Sequence, residues 1–296
     1  MRAGIVILTE DRWWSGEPKW RNAEEFGFDH AWTYDHLSWR SLADGPWFSA
    51  LPTLTAAAMV TERIMLGTFV ASPNYRHPVP FMRELITLDD VSDGRALLGL
   101  GAGAGPSGVT DRATLGEDGW RPGELADRFG EFVEALDGLL TKDNYSFDGT
   151  YYTASTARNL PGCVQVPRIP FAVAANGPRS LRLAARYGQG WITTGRPSDD
   201  NEEWWRGVGA LSDQFDRALD EVGRDPAGVR RYLSLDAGPV YSLTSVDTFT
   251  DAAQRAWKLG FTDIVVHWPR ATDPYCGQET VLERVAEEVL AEVQEL

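Results

Sequence analysis

A histidine preceded by an aspartate is the first place where this sequence could do chemistry. Asp35 and His36 come directly after a short apolar segment, and Trp39 follows three residues later. An imidazole takes up or releases a proton near neutral pH, and a neighbouring carboxylate can hold it in one orientation. We therefore expect His36 to act as a general acid or base with Asp35 as its partner. The alternative is a histidine that only packs at the end of a strand.

Two glycine-containing segments have the composition of a cofactor site. Residues 99–105 are Gly-Leu-Gly-Ala-Gly-Ala-Gly, and glycines let a backbone approach a flat or phosphorylated ligand where a Cβ would clash. No helix is expected directly after this run, so it is not a dinucleotide-binding fingerprint. Residues 174–180 end a predicted strand and begin a helix, whose first N–H groups could bind a phosphate. Arg179 lies at that N-terminus, where the helix dipole favours an anionic ligand as its counter-charge.

The segments that must position these residues alternate between two periodicities. Short apolar or β-branched runs predict strands, and helical spacing of apolar residues follows them. The predicted strands cover residues 4–8, 30–33, 64–70, 96–100, 171–174, 190–193, 231–235 and 263–267. The predicted helices lie near residues 17–27, 49–61, 78–91, 123–141, 179–187, 201–222, 246–259 and 278–294. This alternation predicts an α/β fold, a closed (β/α)8 TIM barrel formed by one domain over residues 1–296.

Two segments do not fit the repeating pattern. Residues 104–122 are predicted to be an irregular, glycine-rich insertion after the fourth strand. Residues 144–168 are predicted to contain a β-hairpin insertion before the fifth strand, with a turn at Asp148-Gly149. The loops that follow the strands of a TIM barrel form the face on which the chemistry takes place. We therefore expect the insertion at 104–122 to lie beside the active site.

Charge and composition exclude several functional classes. The 296 residues carry 28 Lys and Arg against 43 Asp and Glu, a formal net charge of -15. This charge repels phosphate backbones and anionic lipid headgroups, so we expect neither nucleic acid nor a membrane as a partner. The 2 cysteines are too few for a disulfide framework or a cysteine-rich metal site. Without a signal-peptide pattern, we expect a cytoplasmic protein with no metal cofactor.

Several motifs, in their order along the chain, resemble the luciferase-like monooxygenase superfamily, and within it the branch that uses the deazaflavin coenzyme F420. They are Thr-Tyr-Asp-His at 33–36, Leu-Gly-Thr at 66–68, the Pro-Asn-Tyr-Arg-His-Pro stretch at 73–78, residues 88–95 with 99–103, Phe-Asp-Gly-Thr-Tyr-Tyr at 147–152 and Ala-Ala-Asn-Gly-Pro at 174–178. The resemblance implies a barrel with insertions, usually a homodimer, with the cofactor ring over the C-terminal mouth. It also implies a cis peptide bond between Phe69 and Val70, against the ring.

The resemblance also implies roles for single residues. His36 is expected at the reactive edge of the ring, and Trp39 matches a ring-contacting tryptophan of the family's sugar-phosphate dehydrogenases, although it suits a core position equally well. Because Ala104 stands where the family has an acid, we also expect His36 to serve as the proton source, with Tyr75 or Glu10 as the reserve proton donor. The expected cofactor-binding residues are Asp35, His36, Thr68, Phe69, Val70, Ser72, Gly101, Ala102, Gly103, Gly105, Ala175, Asn176, Gly177, Arg179, Thr194 and Arg196.

The remaining histidines of the chain are interpreted as structural. His77 is expected to cap or pack beside Pro78, and His30 and His267 are taken to lie at strand positions without an acidic partner next to them. Arg76 suits an ion pair on the barrel rim as well as a ligand contact.

Ala104 is a departure from the family pattern. The sugar-phosphate dehydrogenases have a glutamate proton donor at this place, and a methyl group cannot donate a proton. We therefore expect a substrate other than glucose 6-phosphate, larger and more apolar. The favoured hypothesis is hydride transfer between F420 and a small organic substrate, by C=C or C=N reduction or by alcohol oxidation. The alternatives are a monooxygenase that uses reduced FMN and oxygen, and a barrel without enzymatic activity.

Overall fold

The computed structural model describes residues 1–117 and 119–296. Eight parallel strands close into a barrel, which confirms the predicted TIM-barrel fold. They are β1 (Arg2–Val6), β2 (His30–Thr33), β3 (Met65–Ala71), β4 (Ala96–Leu100), β7 (Phe171–Ala174), β8 (Gly190–Thr193), β9 (Arg230–Ser234) and β10 (Asp263–His267). The predicted hairpin consists of the antiparallel strands β5 (Asn144–Asp148) and β6 (Thr153–Arg158).

The helices surround the barrel and follow the strands along the chain. They are α1 (Trp13–Glu25), α2 (Ala50–Ala58), α3 (Pro78–Val91), α4 (Pro106–Thr114), α5 (Pro122–Thr141), α6 (Pro178–Tyr187), α7 (Asn201–Glu221), α8 (Val246–Lys258), α9 (Glu279–Glu288) and α10 (Leu290–Gln294). Over the two described ranges, no helix is both long enough and apolar enough to span a bilayer.

The insertion after β4 contains a helix, α4, where we expected irregular chain. Pro106 occupies the first turn of α4, and its fixed φ and missing N–H suit that position. The glycine run is therefore followed directly by a helix, and our expectation that none follows was wrong. A second difference is at the C-terminal end, where the single predicted helix is divided into α9 and α10.

Side chains along the strands alternate between the barrel interior and the layer under the helices. Trp32 and Tyr34 belong to the inner cluster, whereas Ala31 packs outward with the large core. Successive residues of a strand face opposite sides, so His30 shares the interior face with Trp32. On β10, Asp263 and His267 share the interior face in the same way. A histidine and an aspartate therefore stand at the N-terminal end of the barrel, and another histidine stands at its mouth.

Gly4 gives the His30 side chain room to cross the barrel. β1 lies between β2 and β10, and Gly4 is paired with His30. A Cβ at Gly4 would lie only 1.8 Å from Nδ1 of His30. Across this gap, His30 Nε2 lies 3.0 Å from Oδ1 of Asp263, which also pairs with Arg2 Nε at 2.7 Å. Our expectation that His30 lacks an acidic partner was therefore wrong, because its partner lies 233 residues further along the chain.

The two ring nitrogens of His30 are both engaged by buried groups. The indole N–H of Trp32 donates to Nδ1 at 2.6 Å. An indole has no lone pair to offer, so Nδ1 must be the acceptor and Nε2 carries the proton that is donated to Asp263. Burial lowers the pKa of His30, which keeps the ring neutral. Burial alone would raise the pKa of Asp263, but the hydrogen bond from His30 and the charge of Arg2 bring it below its usual value.

Candidate active site

His36 is held at the mouth of the barrel by an aspartate of α4. It lies on the loop after β2, and 15% of its side chain is exposed. Its Nδ1 lies 2.6 Å from Oδ2 of Asp111, which is fully buried. The other oxygen of Asp111 accepts the backbone N–H of Leu37 at 2.8 Å. Carboxylate oxygens only accept, so Nδ1 carries the proton and Nε2 is the basic nitrogen.

Asp35 does not orient His36, contrary to our expectation. Its two oxygens accept hydrogen bonds from Nε and Nη2 of Arg76, at 2.7 and 2.8 Å. Neighbouring side chains on an extended chain point in opposite directions, so adjacency in sequence did not bring the carboxylate to the imidazole. The ion pair expected for Arg76 is present, and Glu84 adds to it at 2.7 Å. Burial and the Asp35 charge raise the pKa of Tyr75 far above its ordinary value, so this phenol keeps its proton.

A cluster of aromatic rings begins beside His36. Trp39 is buried, and its ring centroid lies 5.0 Å from that of Tyr34 and 6.1 Å from that of Tyr275. Trp47 donates its indole N–H to the backbone oxygen of His36 at 2.8 Å. The Tyr34 ring meets the His36 ring edge to face at 6.4 Å. Trp39 is therefore a core residue that packs against Tyr34, the ring that meets the imidazole, and its contact with a cofactor ring stays a prediction.

A second histidine at the mouth, His267, has an acidic partner that we did not expect. It ends β10, and its Nδ1 lies 3.0 Å from Oδ2 of Asp236, directly after β9. Its Nε2 lies 2.6 Å from the hydroxyl oxygen of Tyr34, which in turn lies 3.0 Å from that of Tyr275. The expectation that His267 lacks an acidic partner was wrong, because the parallel pairing of β10 with β9 brings the end of β10 beside the loop after β9, 31 residues earlier in the chain. Glu10, which we expected to be a reserve proton donor, is paired with Arg270 at 2.7 Å.

The glycine run packs first of all against the chain itself. A Cβ at Gly101 would lie 2.5 Å from Cγ2 of Val70, and the peptide bond between Phe69 and Val70 is cis, as the resemblance implies. Gly103 has a φ of +63°, and a Cβ there would lie 2.2 Å from Nδ2 of Asn74. These glycines let β4 and its loop lie close to the irregular end of β3. Gly105 differs from them, because a Cβ there would meet nothing within 4 Å.

Other residues predicted to bind a cofactor at β3 and β4 are buried and already engaged. The Thr68 hydroxyl donates to the backbone oxygen of Gly99 at 2.8 Å, and the Ser72 hydroxyl accepts from the backbone N–H of Asn74 at 3.4 Å. Ala102 is half-buried and packs against the large core. A cofactor would therefore meet backbone and apolar groups of these residues, because the hydroxyls of Thr68 and Ser72 already have partners.

Asn176 ties the loop after β7 to the loop after β8. Its Oδ1 accepts the Thr193 hydroxyl at 2.6 Å, and its Nδ2 donates to the Thr194 hydroxyl oxygen at 3.1 Å. Ala175 is buried beneath this loop, and α6 begins directly after Gly177. The nearest atom to a Cβ at Gly177 would be 3.9 Å away, so the space at the helix N-terminus is open. The first N–H groups of a helix lack internal partners, which makes this end suitable for an anion.

The two predicted cationic residues of this region differ in their surroundings. Arg179 is exposed and pairs with Asp127 of α5 at 3.0 Å, so the counter-charge that we expected from a ligand comes from the protein. Arg196 is exposed on the loop after β8, two residues beyond Thr194. His77 accepts the backbone N–H of Val79 at 3.2 Å, which is the capping role expected for it.

The sequence of this protein matches a known family and several of its members. The family model described as "Luciferase-like monooxygenase" matches residues 18–237. The chain belongs to the luciferase-like monooxygenase family. It is 32% identical to an F420-dependent glucose-6-phosphate dehydrogenase of Beutenbergia cavernae, over 90% of each chain. It is 28% identical to a 5,10-methylenetetrahydromethanopterin reductase of Methanopyrus kandleri, over 97% of this chain and 78% of the relative.

Solved structures of the luciferase-like family share the fold of this chain. An F420-dependent secondary alcohol dehydrogenase in complex with an F420-acetone adduct superimposes with a TM-score of 0.82 over 99% of this chain and 98% of that one, at 16% identity. The monooxygenase RslO1 from Streptomyces bottropensis superimposes with a TM-score of 0.78 over 99% of both chains, at 21% identity. At these identities the likeness concerns the luciferase-like barrel and not the reaction.

Proposed function

We propose that this protein is an F420-dependent oxidoreductase that transfers a hydride between the deazaflavin and a small organic substrate. The observation that carries the proposal is the 32% identity, over 90% of both chains, to a relative named as an F420-dependent dehydrogenase. The alternative, a monooxygenase that uses FMN, is supported by the family description.

The residues at the N-terminus of α6 fit the anionic end of such a cofactor. Gly177 leaves open space there, and Asn176 holds the loops after β7 and β8 together. Thr194 and Arg196 are exposed beside them and add a hydroxyl and a guanidinium. When bound, the deazaflavin would supply the hydride chemistry, and the protein would supply position and proton transfer.

His36 is the proposed general acid or base of the reaction. Its Nδ1–H is fixed by Asp111, so Nε2 remains able to accept a proton from the substrate. Asp111 acts through His36 and is therefore a positioning residue. Trp39 and Tyr75 are proposed as neighbours of the reacting groups, with Tyr75 protonated by its burial.

The substrate is proposed to be apolar. Its reaction is proposed to proceed without a carboxylic acid of the protein at the position of Ala104. Ala104 is exposed beside the mouth and carries only a methyl group. The Tyr34 ring meets that of His36, and the Trp39 ring packs on the Tyr34 ring. Such walls suit a flat or apolar molecule better than a sugar phosphate. We also propose a single-domain homodimer, which light scattering on the purified chain would test.

A matched pair of variants tests the proposed anion site. Gly177 has a φ of −123°, so a side chain can be accommodated without left-handed strain. Gly177→Glu should weaken deazaflavin binding at least about tenfold, because a carboxylate repels the anion at the helix N-terminus. Gly177→Gln, with the same size and no charge, should bind nearly as well as the wild type. Quenching of tryptophan fluorescence gives both dissociation constants, and equal affinities of the two variants would place the anion elsewhere.

A further inference from the structure

A chain of hydrogen bonds runs from a buried carboxylate to the aromatic residues beside His36. It joins Asp236 Oδ2 to His267 Nδ1 at 3.0 Å, His267 Nε2 to the Tyr34 hydroxyl at 2.6 Å, and the Tyr34 hydroxyl to that of Tyr275 at 3.0 Å. All four residues end a barrel strand or lie on a loop at the mouth. The proposed function assigns no role to the hydrogen bonds among them.

Donor and acceptor capacities fix the direction of every bond in this chain. Asp236 Oδ1 accepts the Ser242 backbone N–H at 2.8 Å, and Oδ2 accepts that of His267 at 2.6 Å, so the carboxylate also accepts from Nδ1. Nε2 of His267 therefore accepts the Tyr34 hydroxyl proton, and the Tyr34 oxygen accepts that of Tyr275. Burial raises the pKa of both phenols, which keeps them protonated. Each hydroxyl thus points its proton toward His267.

We infer that Tyr275, Tyr34 and His267 form a proton relay that takes up the hydroxyl proton of an alcohol substrate, with Asp236 as the positioning residue. The inference rests on the proposed function, which supplies oxidised deazaflavin as the hydride acceptor. The carbinol C–H bond breaks and its electron pair leaves with the hydrogen as hydride, while the O–H bond breaks and C=O forms. The proton passes to a phenol at the mouth, each phenol hands its own proton inward, and His267 becomes an imidazolium beside Asp236. Carbonyl reduction runs these transfers in reverse.

The relay opens where the reaction is proposed to occur. The Tyr34 ring lies 6.4 Å from the His36 ring and 5.0 Å from the Trp39 ring, between centroids. The Tyr275 ring stacks on His267 at 3.8 Å. Tyr275 is half-buried whereas Tyr34 is buried, so Tyr275 is the outer phenol of the relay. Ala104 carries only a methyl group, so proton transfer at the mouth falls to other side chains, among them these phenols and His36.

The tautomer of His267 tests the relay without cofactor or substrate. The chain has 4 histidines, and long-range ¹H–¹⁵N spectra of ¹⁵N-histidine-labelled protein distinguish the two neutral forms of each ring. We expect His267 with its proton on Nδ1 and His30 with its proton on Nε2, which gives an internal reference. The missing signal in His267→Gln assigns the ring. A His267 proton on Nε2 would overturn the relay, because Tyr34 could then not donate to it.

Two phenol-to-phenyl variants separate the relay from simple packing. Tyr34→Phe removes a relay hydroxyl, whereas Tyr241→Phe removes a hydroxyl that donates only to the backbone oxygen of His267, at 2.8 Å. With cyclohexanol and benzyl alcohol as probes, Tyr34→Phe should lower kcat by roughly 10²-fold, at the low end for general acid–base catalysis, and leave KM nearly unchanged. It should also shift the His267 Nε2 resonance. Tyr241→Phe should do neither, and equal effects of the two variants would overturn the relay.

The outcomes separate the relay from the proposed function. Failure to bind deazaflavin would overturn the proposed function, while the tautomer of His267 would still decide the arrangement of the relay. Binding of deazaflavin without turnover of either alcohol, or of cyclohexanone and benzaldehyde in reverse, would overturn the relay and leave the proposed cofactor in place. If Tyr34→Phe does not fold, Tyr275→Phe removes the outer hydroxyl from a half-buried ring, and it should lower kcat in the same direction.

Discussion

The barrel holds one buried histidine–aspartate pair at each end, and the two pairs differ in what contacts the other ring nitrogen. At the N-terminal end, Nδ1 of His30 accepts an indole N–H from Trp32, and Nε2 donates to Asp263. At the mouth, Nδ1 of His267 donates to Asp236, and Nε2 accepts a hydroxyl from Tyr34. The two rings therefore hold opposite neutral tautomers.

We call the His30–Asp263 pair closed and the His267–Asp236 pair open, because the first contacts an indole and the second a phenol. An indole can donate its proton in a hydrogen bond but cannot pass one along, so the proton of His30 has no path to solvent through Trp32. A phenol both donates and accepts, so Tyr34 can exchange its proton with His267. Arg2 further closes the N-terminal pair by neutralising Asp263. The open pair lies at the mouth and the closed pair at the opposite end. This agrees with TIM barrels in general, in which the mouth holds the active site and the opposite end contributes to stability.

The largest expected effect is on stability, at the closed end. Asp263→Ala should lower the free energy of unfolding by about 3–5 kcal/mol, because it leaves Arg2 and His30 without their buried partner. Denaturant titration gives this value. Turnover per folded molecule should stay at the wild-type level, and a fall in kcat of the folded fraction would show that the closed pair serves the reaction.

At the open end, His36→Ala should instead lower turnover by roughly 10²–10⁴ with little change in melting temperature. The side chain lies at the mouth and is 15% exposed, and Asp111 keeps its hydrogen bond from the Leu37 N–H in the variant. If His36 only packs, the result should reverse, with a lower melting temperature and an unchanged rate for the remaining folded enzyme. Both quantities should be measured on one preparation.

Asp111→Asn should have a smaller effect than His36→Ala but lower kcat at least about tenfold, because an amide cannot hold the Nδ1–H tautomer as a carboxylate does. The amide oxygen can still accept the Leu37 N–H, so the loop should stay in place. The tautomer of His36 in ¹⁵N spectra is the readout that a purely structural role would not change. Asp35→Asn is the comparison, since Asp35 contacts Arg76 and not His36.

The smallest expected effect is a pH dependence of stability at the closed end. Burial lowers the pKa of His30, so its neutral form is favoured in the folded state. This contribution is fully present above the unfolded pKa of about 6.5 and is lost as the pH falls through the folded pKa. The free energy of unfolding should therefore fall more steeply on acidification in the wild type than in His30→Gln. Identical slopes would mean that folding leaves the pKa of His30 unchanged.

The barrel could be predicted from the sequence because its signals are local. Each strand is a short apolar run. Helix starts are marked by residue types that favour the first turn, such as Pro178 after Gly177. The helix α4 was missed because Gly105 and Gly116 border it and its apolar residues are few, so the segment has the composition of a loop.

The candidate site could be predicted only as far as single residues. His36 follows a strand and is therefore placed at the mouth by topology alone. Its partner Asp111 is 75 residues away and comes from the missed helix, so no local pattern connects the two. The His30–Asp263 pair depends likewise on barrel closure, which places the last strand beside the first, whereas the His267–Asp236 pair depends on the pairing of β10 with β9.

The affinity for the two candidate flavins tests the central claim most directly. Titration of the purified wild-type chain, followed by quenching of tryptophan fluorescence, should give a dissociation constant for coenzyme F420 that is micromolar or lower. FMN should bind at least about tenfold more weakly, a difference of about 1.4 kcal/mol. Equal affinities, or tighter binding of FMN, would contradict the account and favour a monooxygenase.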